Sequence, residues 1–105
     1  MKIDDLFWHD GIINSYSCDM DEHGNSDFII RAHLYKNADS TQRQAITITC
    51  PNIEACQVSL NIKELKDNLF AGNISNGYLK GNKLWVYFTD GIFEITGEHF
   101  EVNEF

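Results

Sequence analysis

His9 and Asp10 come closest in this chain to a catalytic pair, because a carboxylate beside an imidazole can fix its tautomer and raise its basicity for general-base catalysis or metal binding. Neighbouring residues of a strand point to opposite faces, however, so the two side chains meet only if a turn intervenes. The expectation is therefore structural: Asp10 binds backbone amides at a turn before the first strand, while His9 and Trp8 close the end of the core. The run Asp19-Met20-Asp21-Glu22-His23-Gly24 opens like an EF-hand loop, with carboxylates first and third and glycine sixth. It then departs from that pattern, since His23 is fifth and Ile30 stands twelfth where a bidentate glutamate is needed, so a solvated acidic hairpin loop is expected. Cysteines and histidines occur at His9, Cys18, His23, His33, Cys50, Cys56 and His99, without the short ligand pairs of zinc fingers or ribbons. Acidic residues near Cys18 and Cys56 disfavour a thiolate nucleophile. No G-x-S-x-G, phosphate-binding glycine loop or H-E-x-x-H occurs either. No catalytic residue, metal or cofactor is assigned, and the chain is read as a non-enzyme.

The elements that position these residues are mostly strands. Leu84 to Thr96 reads as a hairpin, with strand-forming runs on either side of an Asp90-Gly91 pair suited to a two-residue type I′ turn. With Thr89 opposite Ile92, Phe88 faces Phe93, Val86 faces Ile95 and Leu84 faces Gly97, which gathers apolar residues on one side. Trp85, Tyr87, Ile92 and Glu94 occupy the other. Alternation also marks Gly11 to Met20, with Ile12, Asn14, Tyr16, Cys18 and Met20 inward, then Phe28 to Tyr35 with Phe28, Ile30, Ala32 and Leu34 inward, and Ala45 to Cys50. Pro51 stops the last of these. Asn61 can cap a helix with Glu64 three residues on, Leu60 and Leu65 form a hydrophobic staple, and Gly72 suits a left-handed end. This predicts a helix over 62–71 packing Ile62, Leu65, Leu69 and Phe70 on the sheet, although Val58, Leu60 and Ile62 also alternate as a strand would. Ile74 to Leu79 and Glu98 to Phe105 supply further strands. The sum is a mainly β (α+β) chain: a single antiparallel sheet, curled or partly closed into a barrel, of about six or seven strands with one helix packed on it.

At 105 residues the chain makes one domain, 1–105. Sixteen acidic residues against eight basic ones give a net charge of -8, which disfavours nucleic acid and anionic membrane surfaces and makes a basic protein the natural complement. The opening Met1-Lys2-Ile3-Asp4-Asp5-Leu6 does not resemble a signal peptide and no run is long enough to span a bilayer, so a cytoplasmic location is expected. Cys18, Cys50 and Cys56, odd in number and unpaired in spacing, are expected as free, buried thiols.

Phe7-Trp8-His9-Asp10-Gly11-Ile12-Ile13 resembles the opening of a diffuse group of small bacterial β-rich proteins. Asp67 to Ile74, Leu84 to Gly91 and Phe100-Glu101-Val102 are similar to the closing half of the same kind of protein. Some members look like immunity proteins of toxin systems, so the resemblance implies a non-enzymatic inhibitor that occludes a basic toxin such as a nuclease. The binding residues expected for such a role are the acidic loop, Asp19, Asp21, Glu22 and Asp27, together with Glu94 and the aromatic anchors Trp85 and Tyr87. The alternatives are a structural or apolar-ligand-binding β domain, and an enzyme using His9 with Asp10.

Overall fold

The computed structural model of the chain describes residues 2–104; Met1, and Phe105 at the end of the expected last strand, lie outside the described residues. Among the described residues the alternating runs form eight strands: β1 (Ile12–Met20), β2 (Ser26–Tyr35), β3 (Arg43–Cys50), β4 (Ala55–Ser59), β5 (Ile74–Lys80), β6 (Lys83–Phe88), β7 (Gly91–Thr96) and β8 (Glu101–Glu104). A helix, α1 (Ile62–Asp67), joins β4 to β5. The strands make two antiparallel four-stranded sheets, ordered β1-β2-β3-β8 and β4-β7-β6-β5, rather than the single sheet of six or seven strands expected. The division falls at Pro51-Asn52, where Asn52 takes a left-handed φ of 54° and the chain leaves the first sheet to begin the second. Period-two alternation says which residues face inward but not which strands share a sheet, so this break is silent in the pattern.

The inward residues of the four central strands meet between the sheets. Phe28, Ile30, Ala32 and Leu34 of β2 and Ile46, Ile48 and Cys50 of β3 are buried, as are Leu84, Val86 and Phe88 of β6 and Phe93 and Ile95 of β7. Phe93 takes the edge-to-face geometry that aromatic rings prefer with both Phe28, at 5.6 Å, and Phe88, at 4.7 Å. On the β5 side the sandwich is plugged by the buried Trp8, whose indole lies against Gly77; a Cβ there would come within 2.6 Å of the ring, so only glycine admits this packing.

The β6–β7 hairpin keeps its predicted faces but not its predicted register. Leu84 pairs with Ile95, Val86 with Phe93 and Phe88 with Gly91, so the two-residue turn is Thr89-Asp90, with Asp90 at φ 57°. Every pair is displaced by two residues from the expected one, which preserves the inward set because side chains alternate with period two. Gly91 is used for proximity instead of turn geometry: a Cβ on it would lie 2.5 Å from the Ser59 carbonyl oxygen, where the end of β4 crosses.

The helix begins as expected and ends early. The Asn61 side chain accepts from the Glu64 amide at 3.2 Å, and its amide nitrogen donates to the Asp90 carboxylate at 2.9 Å, fastening the helix start to the β6–β7 turn. At the other end Asn68 donates through its side chain to the Glu64 carbonyl at 2.8 Å and stops the helix after Asp67, short of the predicted Ala71. Only Leu65 of the predicted apolar face is buried; Ile62, Leu69 and Phe70 are exposed. No helix among the described residues is long and apolar enough to cross a membrane.

Candidate functional site

Strands β1 and β4 are edge strands on the same side of the sandwich, and their inward residues have no neighbouring strand to cover them. In β1 a bulge at Asn14 shifts the register against β2, so that Ile13, not Ile12, shares the inward side with Tyr16, Cys18 and Met20. Tyr16 packs against Phe28 at 5.9 Å and Phe93 at 5.1 Å, sealing the core, yet remains 44% exposed; Met20 is 73% exposed. In β4, Cys56 and Val58 pair with the buried Ile95 and Phe93 and are themselves exposed. An open groove of about 500 Å³ continues this apolar seam between β1 and α1, lined by Ile13, Tyr16, Leu60, Ile62, Leu65 and Leu69. Ile62, at 66% exposure, forms part of its rim.

Asn73 fixes the floor of the groove. This buried side chain accepts from the Ile13 amide at 3.0 Å and donates to the Leu65 carbonyl at 3.0 Å, so one residue joins the edge strand to the helix. Its backbone amide and that of Ile74 both donate to the Gly11 carbonyl, at 3.0 and 2.9 Å. The groove is thus framed by a hydrogen-bonded unit with both of Asn73's polar side-chain atoms engaged.

At its far end β1 runs into the acidic loop. The β1–β2, β3–β4 and β7–β8 connections gather at this end of the sandwich, where the Ile53 amide donates to the Ser26 carbonyl at 2.7 Å and the Glu54 amide to the Thr96 carbonyl at 2.8 Å. Asp19, Asp21, Glu22, Asp27, Glu54 and Glu98 come from these connections and their flanks. Two of the predicted carboxylates at this loop accept from backbone amides within the chain. Asp21 accepts from the His23 amide at 2.8 Å and the Asn25 amide at 3.0 Å, and these bonds, that from Asn25 foremost, hold its carboxyl below the usual carboxylate range. Asp27 accepts from the Asn52 amide at 2.9 Å. Asp19 and Glu22 are exposed at the same loop.

Trp85, Tyr87 and Glu94 lie elsewhere, on the outer face of the second sheet. The Trp85 indole N–H donates to Glu94 at 2.8 Å, and Tyr78 stacks between Trp85, at 5.0 Å, and Tyr87, at 6.0 Å. Lys83 lies over the Trp85 ring. The rings stand face against face, and the Tyr78 and Tyr87 hydroxyls lie 3.3 Å apart. The predicted binding set therefore divides between two faces: the acidic loop adjoins the apolar seam, and the aromatic row does not.

His9 and Asp10 do meet, with 3.5 Å between imidazole Nε2 and the carboxylate, because Asp10 takes a left-handed φ of 63° at a turn rather than extending a strand. The other ring nitrogen, Nδ1, lies 3.1 Å from the Ser75 carbonyl. Both side chains are more than half exposed, so His9 takes no part in closing the core, which falls to Trp8. All three cysteines are free thiols, but only Cys50 is buried, and burial pushes its pKa up to about 11. Cys18 and Cys56 are exposed because they sit on edge strands. Among the described residues no three His, Cys, Asp or Glu side chains cluster closely enough to hold a metal ion.

The sequence reading misses the exposed apolar residues of the seam, Tyr16, Met20, Val58, Ile62 and Leu69. Alternation marks the first three as inward, and helical spacing marks the last two; only the strand order reveals that nothing lies over them. Comparison with protein-family models, curated proteins and solved structures gives no match to the chain.

Proposed function

We propose that this chain is a binding protein, not an enzyme, which takes an extended basic segment of a protein partner along β1. The observation that carries this reading is the continuity of the surface. An edge strand of nine residues, laddered only to β2, is flanked by uncovered apolar side chains and ends at a carboxylate-rich loop. A long exposed edge offers backbone groups to a further strand, the groove between β1 and α1 offers a place for its apolar side chains, and Asp19 and Glu22 attract its cations. In the specific form that the sequence resemblance implies, the partner is a toxin such as a nuclease. Inhibition is then by occlusion in the cytoplasm, with carboxylates standing where the toxin would bind phosphates.

Selection from a displayed random-peptide library tests the reading without a known partner. Retained peptides are expected to combine Lys or Arg with alternating apolar residues and to shift the backbone resonances of Ile12 to Met20. Ile62→Asp with Leu69→Asp should weaken their binding by about tenfold or more, roughly 1.4 kcal/mol. Asp19→Lys with Glu22→Lys should slow association and flatten its salt dependence. Peptides without basic residues, or binding indifferent to both pairs of changes, would refute it. The apolar lining of the groove also favours a second reading, a small apolar ligand in the same place; displacement of a hydrophobic dye by fatty acids but by no peptide would select it.

A further inference from the structure

Cys18 and Cys56 belong to different sheets, on edge strands that share no backbone ladder. Their neighbours show how closely the edges approach: Tyr16, two residues before Cys18, touches the ring of Phe93, and Phe93 pairs with Val58, two residues beyond Cys56. Phe28, the partner of Cys18 across β1–β2, also touches Phe93. Both thiols are free and exposed, whereas Cys50 is buried with its sulfur against Gly97. We infer that Cys18 and Cys56 form a reversible disulfide that ties the two sheets together across the open edge of the sandwich.

Cys56 also acts on the Cys18 thiol, raising its pKa, as fits two thiols on facing edges. Bond formation requires the sulfurs at about 2 Å and the Cα atoms within about 7 Å, an approach that two uncovered side chains on edge strands leave open. The oxidant is a low-molecular-weight disulfide, RSSR. One protein thiolate attacks it, forms a mixed disulfide and expels RS⁻. The second protein thiolate attacks the protein sulfur of that mixed disulfide and expels the remaining RS⁻. In sum two Cys–SH and RSSR give the Cys18–Cys56 bond and two RSH, the protein losing two electrons and two protons that the oxidant takes up. Partial burial, then the Cys56 and Asp19 charges, raise the Cys18 pKa, so exchange quickens as pH rises. This suits a clasp that follows thiol–disulfide poise, in contrast to a fast peroxide sensor, which needs a low-pKa thiol.

The bond closes a loop of 38 residues (56 − 18), long enough for the oxidised protein to melt on the order of 10 °C higher than the reduced one. The test incubates the whole chain with oxidised glutathione at mildly alkaline pH and reads intact mass, cross-linked peptides and melting temperature. Combined cleavage after Lys, Arg and Glu separates Cys50 from Cys56 at Glu54. The expected product has lost two hydrogens, links Cys18 to Cys56, leaves Cys50 alkylatable, melts higher and reverts with dithiothreitol. Cys18→Ser and Cys56→Ser should each keep a glutathione adduct on the remaining edge thiol and gain no thermal stability. The inference is overturned if wild type instead accumulates glutathione adducts on both edge thiols. It is equally overturned if the cross-link includes Cys50, or if wild type stays reduced where the single variants are modified.

Discussion

Replacing Asn73 by alanine should loosen the edge strand and the helix together, since its side chain hydrogen-bonds to both. The residue is 2% exposed and its side-chain amide makes two bonds of 3.0 Å, one from the Ile13 amide and one to the Leu65 carbonyl. Alanine removes both partners and leaves two backbone groups unsatisfied, at about 1 to 3 kcal/mol each where water is excluded. Asn73 also borders the open groove, so water reaches part of the vacated space and the cost falls toward the lower end, about 2 to 3 kcal/mol. For a small domain with a urea m-value of about 1 to 3 kcal/mol/M, the midpoint should drop by roughly 1 to 2 M with the slope unchanged. Hydrogen exchange locates the effect: the Ile13 amide should lose protection well before those of Ile46 or Val86 in the central strands. Asn73→Asp retains an acceptor for Ile13 but turns a carboxylate toward the Leu65 carbonyl, and should be at least as unstable at neutral pH. A loss under about 0.5 kcal/mol for alanine, or exchange accelerated equally throughout both sheets, would refute the role given to Asn73.

Asn61→Ala should lower stability by about 1 kcal/mol, measured by thermal unfolding, because it removes the N-cap of α1 and with it the bond to Asp90; an unchanged midpoint would remove the capping argument. Asp21 should titrate below the ordinary carboxylate value of about 3.9, followed through the amide resonances of His23 and Asn25. Its folded-state pKa is depressed, so the order it lends the loop is fully present above the unfolded value and is lost as pH falls through the folded one; titration at or above the ordinary value would contradict the Asp21 hydrogen bonds.

How much of this was legible in the sequence depends on which physical constraint each residue answers to. Inward faces were legible wherever parity along a strand is unbroken; in β1 the bulge at Asn14 breaks it, so the expected inward Ile12 and Asn14 give way to Ile13. Phe88, Val86 and Leu84 remained inside even though the hairpin slipped by two residues, since such a slip restores the same face. The turn was not, because Asp90-Gly91 satisfies turn chemistry while Gly91 also satisfies a tertiary demand, the approach of Ser59, that no local pattern records. The helix start was legible through Asn61, but Asn68 ended it and left Ile62 and Leu69 without a surface to cover.

The candidate site divides along the same line. Its acidic half, Asp19 to Asp27, was readable because charge and loop chemistry are local. Its apolar half was not, because an inward residue is covered only if its strand has neighbours, and the sequence of β1 or β4 does not state that either lies at an edge. The same edge placement leaves Tyr16, Met20 and Val58 uncovered and exposes both Cys18 and Cys56. A partner strand and a disulfide would thus answer one structural condition, an open side of the sandwich, in two ways. Oxidation fixes the separation of β1 and β4 and so should alter peptide binding along β1 without touching a single carboxylate of the acidic loop.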